Sequence, residues 1–178
     1  MLAIYKFDDT KAKLTTQTKI TPGVWINAVA PDESERQRLM EKAHVPEDFL
    51  LYGLDPDEGA RYEYEPDDDA HLLIFDMPIA GLDKKKRVTY KTVPLAIILT
   101  KTAIITIDQQ SQPLLAMFAE NRVPNFNPAK RNQASLMMLY QVTIAYLAYL
   151  RDINKAREAL ENKLQNNLKN EELYALMG

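Results

Sequence analysis

Val93-Pro94-Leu95-Ala96-Ile97-Ile98-Leu99, then Thr100-Lys101-Thr102, then Ala103-Ile104-Ile105-Thr106-Ile107 decides the fold. Two β-branched, apolar runs flank a short polar break, which is the signature of a β-hairpin. The runs are too continuous for a sheet with one wet face, so this sheet is covered on both sides. Proline cannot donate to a ladder, so Pro94 marks a strand start or an edge.

Upstream, Ala3–Phe7 reads as a first strand, with a second short arm around Leu14. Val24-Trp25-Ile26-Asn27-Ala28-Val29 reads as a buried strand. Pro31-Asp32-Glu33 opens a helix, since proline suits a first turn and acids suit the helix dipole. That helix runs to about Ala43, with Leu39, Met40 and Ala43 inward. Val45-Pro46-Glu47-Asp48 repeats the opening for a helix carrying Phe49, Leu50 and Leu54. It stops near Asp55-Pro56, because the residue before proline is pushed out of the helical region. Arg61–Glu65 begins a strand, Leu72–Phe75 is a short apolar strand, and Gly81–Arg87 is a turn.

Downstream, Pro113 opens a short helix, and Arg122–Asn132 is a loop. Leu136, Leu139, Thr143, Tyr146, Leu150, Ile153, Leu160, Leu164 and Leu168 then recur at three, four or seven residues. This stripe is interrupted at Arg157, weakened at Asn162 and Asn166-Asn167, and a further helix begins near Asn170. The order predicts an α/β fold: a mixed sheet sandwiched between helices, an αβα sandwich, ending in long helices. One domain over residues 1–178 suits the length, with an α/β part over about 1–132 and a helical part over about 133–178.

Composition removes several function classes. The chain has 178 residues, 46% hydrophobic and 26% charged, with net charge −3. That supports a buried core and argues against bulk nucleic-acid affinity, which needs a basic footprint. No cysteine is present, so disulfides, thiolate zinc sites and Cys nucleophiles are excluded. The five glycines are never closer than six positions, so no phosphate cradle or dinucleotide fingerprint can form. Serine occurs only at 34, 111 and 135, which leaves no nucleophile elbow. The opening MLAIYKFDDT is too polar for a secretory signal. The longest wholly apolar run, Ile144–Leu150, is far short of the roughly 20 residues a membrane span needs.

Charge is uneven. Residues 32–69 hold 14 acids and four bases, a local net of −10, while Asp83–Lys91 holds one acid and five bases, a local net of +4. The acidic segment reads as the solvated face of two helices and their loops. Asp67-Asp68-Asp69 has hard-cation chemistry, but neighbours on a strand point to opposite faces, which favours a solvated turn. Asp55-x-Asp57-Glu58 has ligand-like spacing without the remaining ligands of a calcium loop. Lys84-Lys85-Lys86-Arg87 has the chemistry to touch an anionic lipid surface or a phosphate, and its bland reading is a soluble tip. His44 falls at a helix end and His71 before an apolar strand, so both take structural roles. Tyr140, Tyr146 and Tyr149 are assigned to packing. No nucleophile–base constellation appears, so no catalytic residue is assigned and an enzyme is the weaker class.

The order of these features resembles the cytosolic N-terminal domain of the CorA-type magnesium and divalent-cation transporter family. The resemblance is carried by Trp25–Val29, the helix Asp32–Ala43, the Val45-Pro46 start, Arg61–Glu65, and His71–Pro78. The hairpin Leu95–Ile107 with its Thr100-Lys101-Thr102 tip and the helix Leu136–Leu164 complete it. The resemblance implies an αβα sandwich, a homopentamer in the parent protein, and a place on the cytoplasmic face of the cell membrane. It also implies transport of Mg²⁺ or Co²⁺ by a pore that lies elsewhere, after a stalk and two membrane helices. On this reading residues 1–178 are a soluble piece that neither spans the membrane nor conducts, and no cofactor is assigned. The family's acidic pair in the second helix falls on Leu51 and Tyr52, and its acids in the long helix fall on Tyr140, Gln141 and Thr143. The regulatory cation site is therefore not carried over, and the metal residues stay unassigned. Two other readings stand beside it: a free-standing soluble metal-dependent hydrolase using the acidic loops, and a protein-interaction adaptor docking through the Leu136–Leu168 stripe.

Overall fold

In a computed structural model, residues 1–177 are described, with side chains to residue 167. Seven strands form one sheet: β1 (Leu2–Asp8), β2 (Lys13–Gln17), β3 (Val24–Val29), β4 (Arg61–Glu65), β5 (Ala70–Leu82), β6 (Val88–Leu99) and β7 (Ala103–Asp108). Their order is β2-β1-β3-β7-β6-β5-β4. Only β3 and β7 run parallel; every other pair is antiparallel. A parallel pair needs a long crossover, and here it carries α1 (Glu33–Ala43), α2 (Glu47–Leu54) and three strands.

Helices cover both faces. Leu39, Ala43, Phe49 and Leu50 of α1 and α2 pack on Ile26, Ile98, Ile105 and Ile107. On the other face, α3 (Pro113–Ala119) and the start of α4 (Arg131–Met177) bring Leu115, Phe118, Ala134, Met138 and Val142 onto Trp25, Leu95, Ile97 and Ile104. This is the expected αβα sandwich, and it explains why β7 is buried along its whole length. Trp25 anchors the second face. Its ring stacks on Tyr5 and meets Phe118 and Phe126 edge-on, and its Nε1 donates to Thr106 Oγ1 at 3.0 Å, so the buried indole keeps a partner.

The helix starts follow local chemistry. Asp32 caps α1 by accepting the Glu35 amide at 2.9 Å, while Glu35 accepts the Asp32 amide, a reciprocal capping box. The cap hydrogen bonds hold the Asp32 carboxyl below the usual carboxylate range. In α2, Gly53 lies flat on the sheet: a Cβ there would sit 3.0 Å from the Ile107 Cβ and 3.1 Å from the Ala96 Cβ.

Two sequence expectations change, and a third is narrowed. β5 is not a short strand over Leu72–Phe75 but thirteen residues long, and with β6 it forms a long hairpin turning at Asp83–Arg87. Of the two places expected for Pro94, a strand start or an edge, it takes the edge. It lies mid-β6, beyond the last β7 partner, where β6 has a single neighbour and no ladder bond is lost. The terminal helix does not break near Asn170; α4 is continuous over 47 residues. Asparagine is only weakly unfavourable in a helix, and no glycine or proline interrupts this one.

Candidate functional site

The sequence-flagged groups do not converge. His44 closes α1 in the left-handed conformation, its backbone N–H donating to the Leu39 carbonyl. His71 stands on β5, its ring stacked on Tyr64 at 4.7 Å and its Nδ1 2.8 Å from the Tyr62 hydroxyl. Asp67, Asp68 and Asp69 form the β4–β5 turn, where Asp69 accepts from the Tyr64 hydroxyl and lies 3.9 Å from Lys101 Nζ. In the loop after α2, Asp55 accepts the Asp57 amide at 2.9 Å, and Glu58 pairs with Arg61. The carboxylates of Asp55, Glu58 and Asp69 are engaged in turns and pairs. Among the described residues, no group of three or more His, Asp or Glu is arranged to hold a metal ion.

Leu51, Tyr52, Tyr140, Gln141 and Thr143, which the resemblance sets against acidic positions, carry no carboxylate. Leu51 is exposed on α2, and Tyr52 lies under the Arg61 guanidinium at 4.5 Å. Tyr140 is 64% exposed, which corrects its assignment to packing. Gln141 is half-buried, and the Thr143 hydroxyl donates to the Leu139 carbonyl one turn back. The other two tyrosines do pack: Tyr146 donates to the Asp76 carbonyl at 3.1 Å, and Tyr149 lies 5.0 Å from Tyr90.

Sequence reading passed over the end of β7. Asp108 is only 4% exposed. Its Oδ1 accepts the Gln110 amide at 3.1 Å, whereas among the described residues its Oδ2 has no partner, and neither has Nε2 of buried Gln112. Burial pushes the Asp108 carboxyl above the usual carboxylate range, against the pull of the Gln110 amide. A cleft of about 290 Å³ opens beside it, beyond the carboxyl ends of the one parallel strand pair, walled by Gly53, Asp55, Val93 and Pro94. The only sequence signal was a single acid closing the run Ala103–Ile107. The other charged residues of the cleft's lining are Asp55 and Lys91, and its described lining holds no histidine.

Among the described residues, much of α4 lies away from the sheet. Its first turns bury Ala134, Met138 and Val142. Beyond them Ile144, Leu147, Leu150, Ile153, Leu160 and Leu164 stand exposed. The stripe read from the sequence is therefore mostly not the face that packs on the sheet. Leu136 and Leu150 point to solvent, while the packed row Ala134, Met138 and Val142 runs one or two positions ahead of the stripe and shares Tyr146 with it. No helix among the described residues is long and apolar enough to cross a membrane.

A search of the curated proteins finds no match. Among solved structures, the soluble domain of CorA from Methanocaldococcus jannaschii matches with a TM-score of 0.72 and 21% identity, over 92% of this chain and 64% of that one. The complete CorA magnesium transporter from the same organism matches at 0.67 and 19%, over 92% of this chain and 51% of that one. The ZntB cytoplasmic domain from Vibrio parahaemolyticus RIMD 2210633 matches at 0.54 and 19%, over 84% and 62%. The chain thus spans between about half and two thirds of the length of these structures, and at such identities they show a shared fold. A family model described as CorA-like Mg²⁺ transporter protein matches residues 22–178. Because that match takes in most of the sequence, the chain belongs to the CorA-like Mg²⁺ transporter family.

Proposed function

We propose that residues 1–178 act as one domain, the cytosolic regulatory and oligomerisation domain of a divalent-cation transporter whose pore lies elsewhere in the parent protein. Residues of about 1–132 are its α/β part. Its helical part, about 133–178, leads toward a stalk and membrane helices. The parent sits in the cell membrane as a homopentamer with this domain on the cytoplasmic face, and it carries Mg²⁺ or Co²⁺ as cargo. The domain binds no nucleic acid and performs no catalysis.

The observation that carries this reading is α4. In a chain with the CorA fold, its distal half displays Leu150, Ile153, Leu160 and Leu164 to solvent. Exposed apolar surface on that scale marks a contact made in a larger assembly. The same exposure suits an adaptor, but family membership favours contact within the transporter. Most of that contact needs the remainder of the parent, so the isolated chain does not form a stable pentamer. Light scattering at micromolar concentration checks this, and a stable pentamer contradicts it.

We further propose that this member lacks the interfacial cation site, because Leu51, Tyr52, Tyr140, Gln141 and Thr143 supply no carboxylate. Calorimetry with MgCl₂ tests this, and binding at millimolar or tighter affinity overturns it. Transport is tested by expressing the parent reading frame in cells that lack Mg²⁺ uptake. Growth at low Mg²⁺ is the expected result. Absence of both Mg²⁺ and Co²⁺ uptake by membrane-inserted parent protein contradicts the reading.

A further inference from the structure

The outer half of the β5–β6 hairpin belongs to no larger sheet. The ladder with β4 stops at Arg61–Ile74, and the ladder with β7 stops at Ile107–Ala96. From Met77 to Leu82, and back from Val88 to Val93, the two strands pair only with each other. Six residues at the usual strand rise make a ribbon of about 20 Å. A two-stranded ribbon is marginal alone. Here α4 supports it through the Tyr146–Asp76 hydrogen bond and the Tyr90–Tyr149 ring contact, so the ribbon projects in the direction α4 runs.

The tip is an ordered presentation of positive charge. The Asp83 carboxylate accepts the amides of Lys85 and Arg87 at 2.8 and 2.9 Å, and Arg87 Nε at 2.7 Å. These bonds hold the Asp83 carboxyl below the usual range, so it stays ionised and paired with Arg87. The one acid of the turn is thus neutralised by one base, and the exposed Lys84, Lys85 and Lys86 remain. Directly behind them, Leu82 and Val88 are cross-strand partners, 69% and 58% exposed. Three ammonium groups ahead of an exposed aliphatic pair match a surface that is anionic outside and apolar just beneath. An acidic protein face would satisfy the lysines but leave the aliphatic pair without a complement.

We propose that this hairpin tip contacts an anionic lipid surface, with Lys84, Lys85 and Lys86 against the phosphate-bearing headgroups and the Leu82–Val88 pair entering the headgroup boundary. Each lysine near such a surface contributes about fivefold in affinity, so three contribute on the order of a hundredfold.

The test is co-sedimentation of the chain with phosphatidylcholine vesicles, with and without phosphatidylglycerol. The wild type binds only the anionic vesicles and is released by high salt, and added inorganic phosphate at matched ionic strength does not compete. Replacing the three lysines (K84Q, K85Q and K86Q together) abolishes binding. L82S with V88S weakens it several-fold at unchanged charge. Circular dichroism confirms that each variant folds, which is expected because Leu82, Lys84, Lys85, Lys86 and Val88 are all exposed. Equal binding to neutral and anionic vesicles overturns the proposal, as does binding that survives the lysine replacements. Competition by inorganic phosphate reassigns the tip to a free anion. A tip that ignores vesicles but whose replacement changes self-association in light scattering reassigns it to the acidic face of a second copy.

Discussion

Two stretches of α4 both carry large apolar side chains, and these meet opposite fates. Between Ala134 and Val142 the helix lies on the sheet, and Met138 is fully buried among Trp25-side residues. From Leu150 to Leu164 the same kind of side chain points into water. Helix propensity does not separate the two regions; the difference is whether a second surface is present. The proximal region therefore stores folding energy in this chain, whereas the distal region holds surface whose burial awaits a partner.

The sharpest way to break that contrast is Met138→Ala. Removing a fully buried side chain costs about 2–5 kcal/mol, read as a lower denaturation midpoint; a loss near zero would mean the proximal region is not packed as described. Gly53→Ala probes the opposite face. Its Cβ would press on the Cβ atoms of Ile107 and Ala96, which belong to strands that cannot swing aside. Overpacking costs about 1–3 kcal/mol, and the gain in helix propensity of about 1 kcal/mol offsets only part of it. Net destabilisation in thermal unfolding is expected, and a stabilised variant would show that α2 sits farther from the sheet.

Asp108 gives a smaller, pH-dependent effect. Its folded carboxyl holds its proton to higher pH than in the unfolded chain. Stability from this group is therefore undiminished below the unfolded pKa and falls as pH rises through the raised folded value. Asp108→Asn flattens that decline, seen as a shallower dependence of the unfolding midpoint between acidic and neutral pH. An unchanged slope would show that the carboxyl is not desolvated. The smallest effect belongs to the distal region: Leu160→Ala changes the stability of the isolated chain by no more than about 0.5 kcal/mol, although leucine and methionine are comparable in size.

Much of the sandwich was legible in the sequence because its signals are local. The runs Leu95–Leu99 and Ala103–Ile107 could be covered only from both sides, and the Pro-acid starts at 31–33 and 46–48 placed α1 and α2. What escaped depends on neighbours distant in sequence. The β5–β6 ribbon hides its length because Met77–Leu82 and Val88–Val93 mix polar and apolar residues, as a two-stranded ribbon with one supported side requires. The packed row of α4 was missed because leucines outnumber the smaller Ala134 and Val142 that actually meet the sheet. Asp108 gave no pattern at all, since a lone acid after a strand looks like any loop start. The candidate site was legible mainly as a set of non-acidic positions, Leu51, Tyr52, Tyr140, Gln141 and Thr143, and the structure adds where they stand.

The central claim is that the distal half of α4 is covered in the assembled parent. The chain has no cysteine, so a single Leu160→Cys substitution gives an unambiguous thiol probe. The measurement is the rate of thiol labelling in the isolated chain and in the full parent protein. The account predicts fast labelling in the isolated chain, where Leu160 is 60% exposed, and strong protection in the parent. Equally fast labelling in both would contradict it.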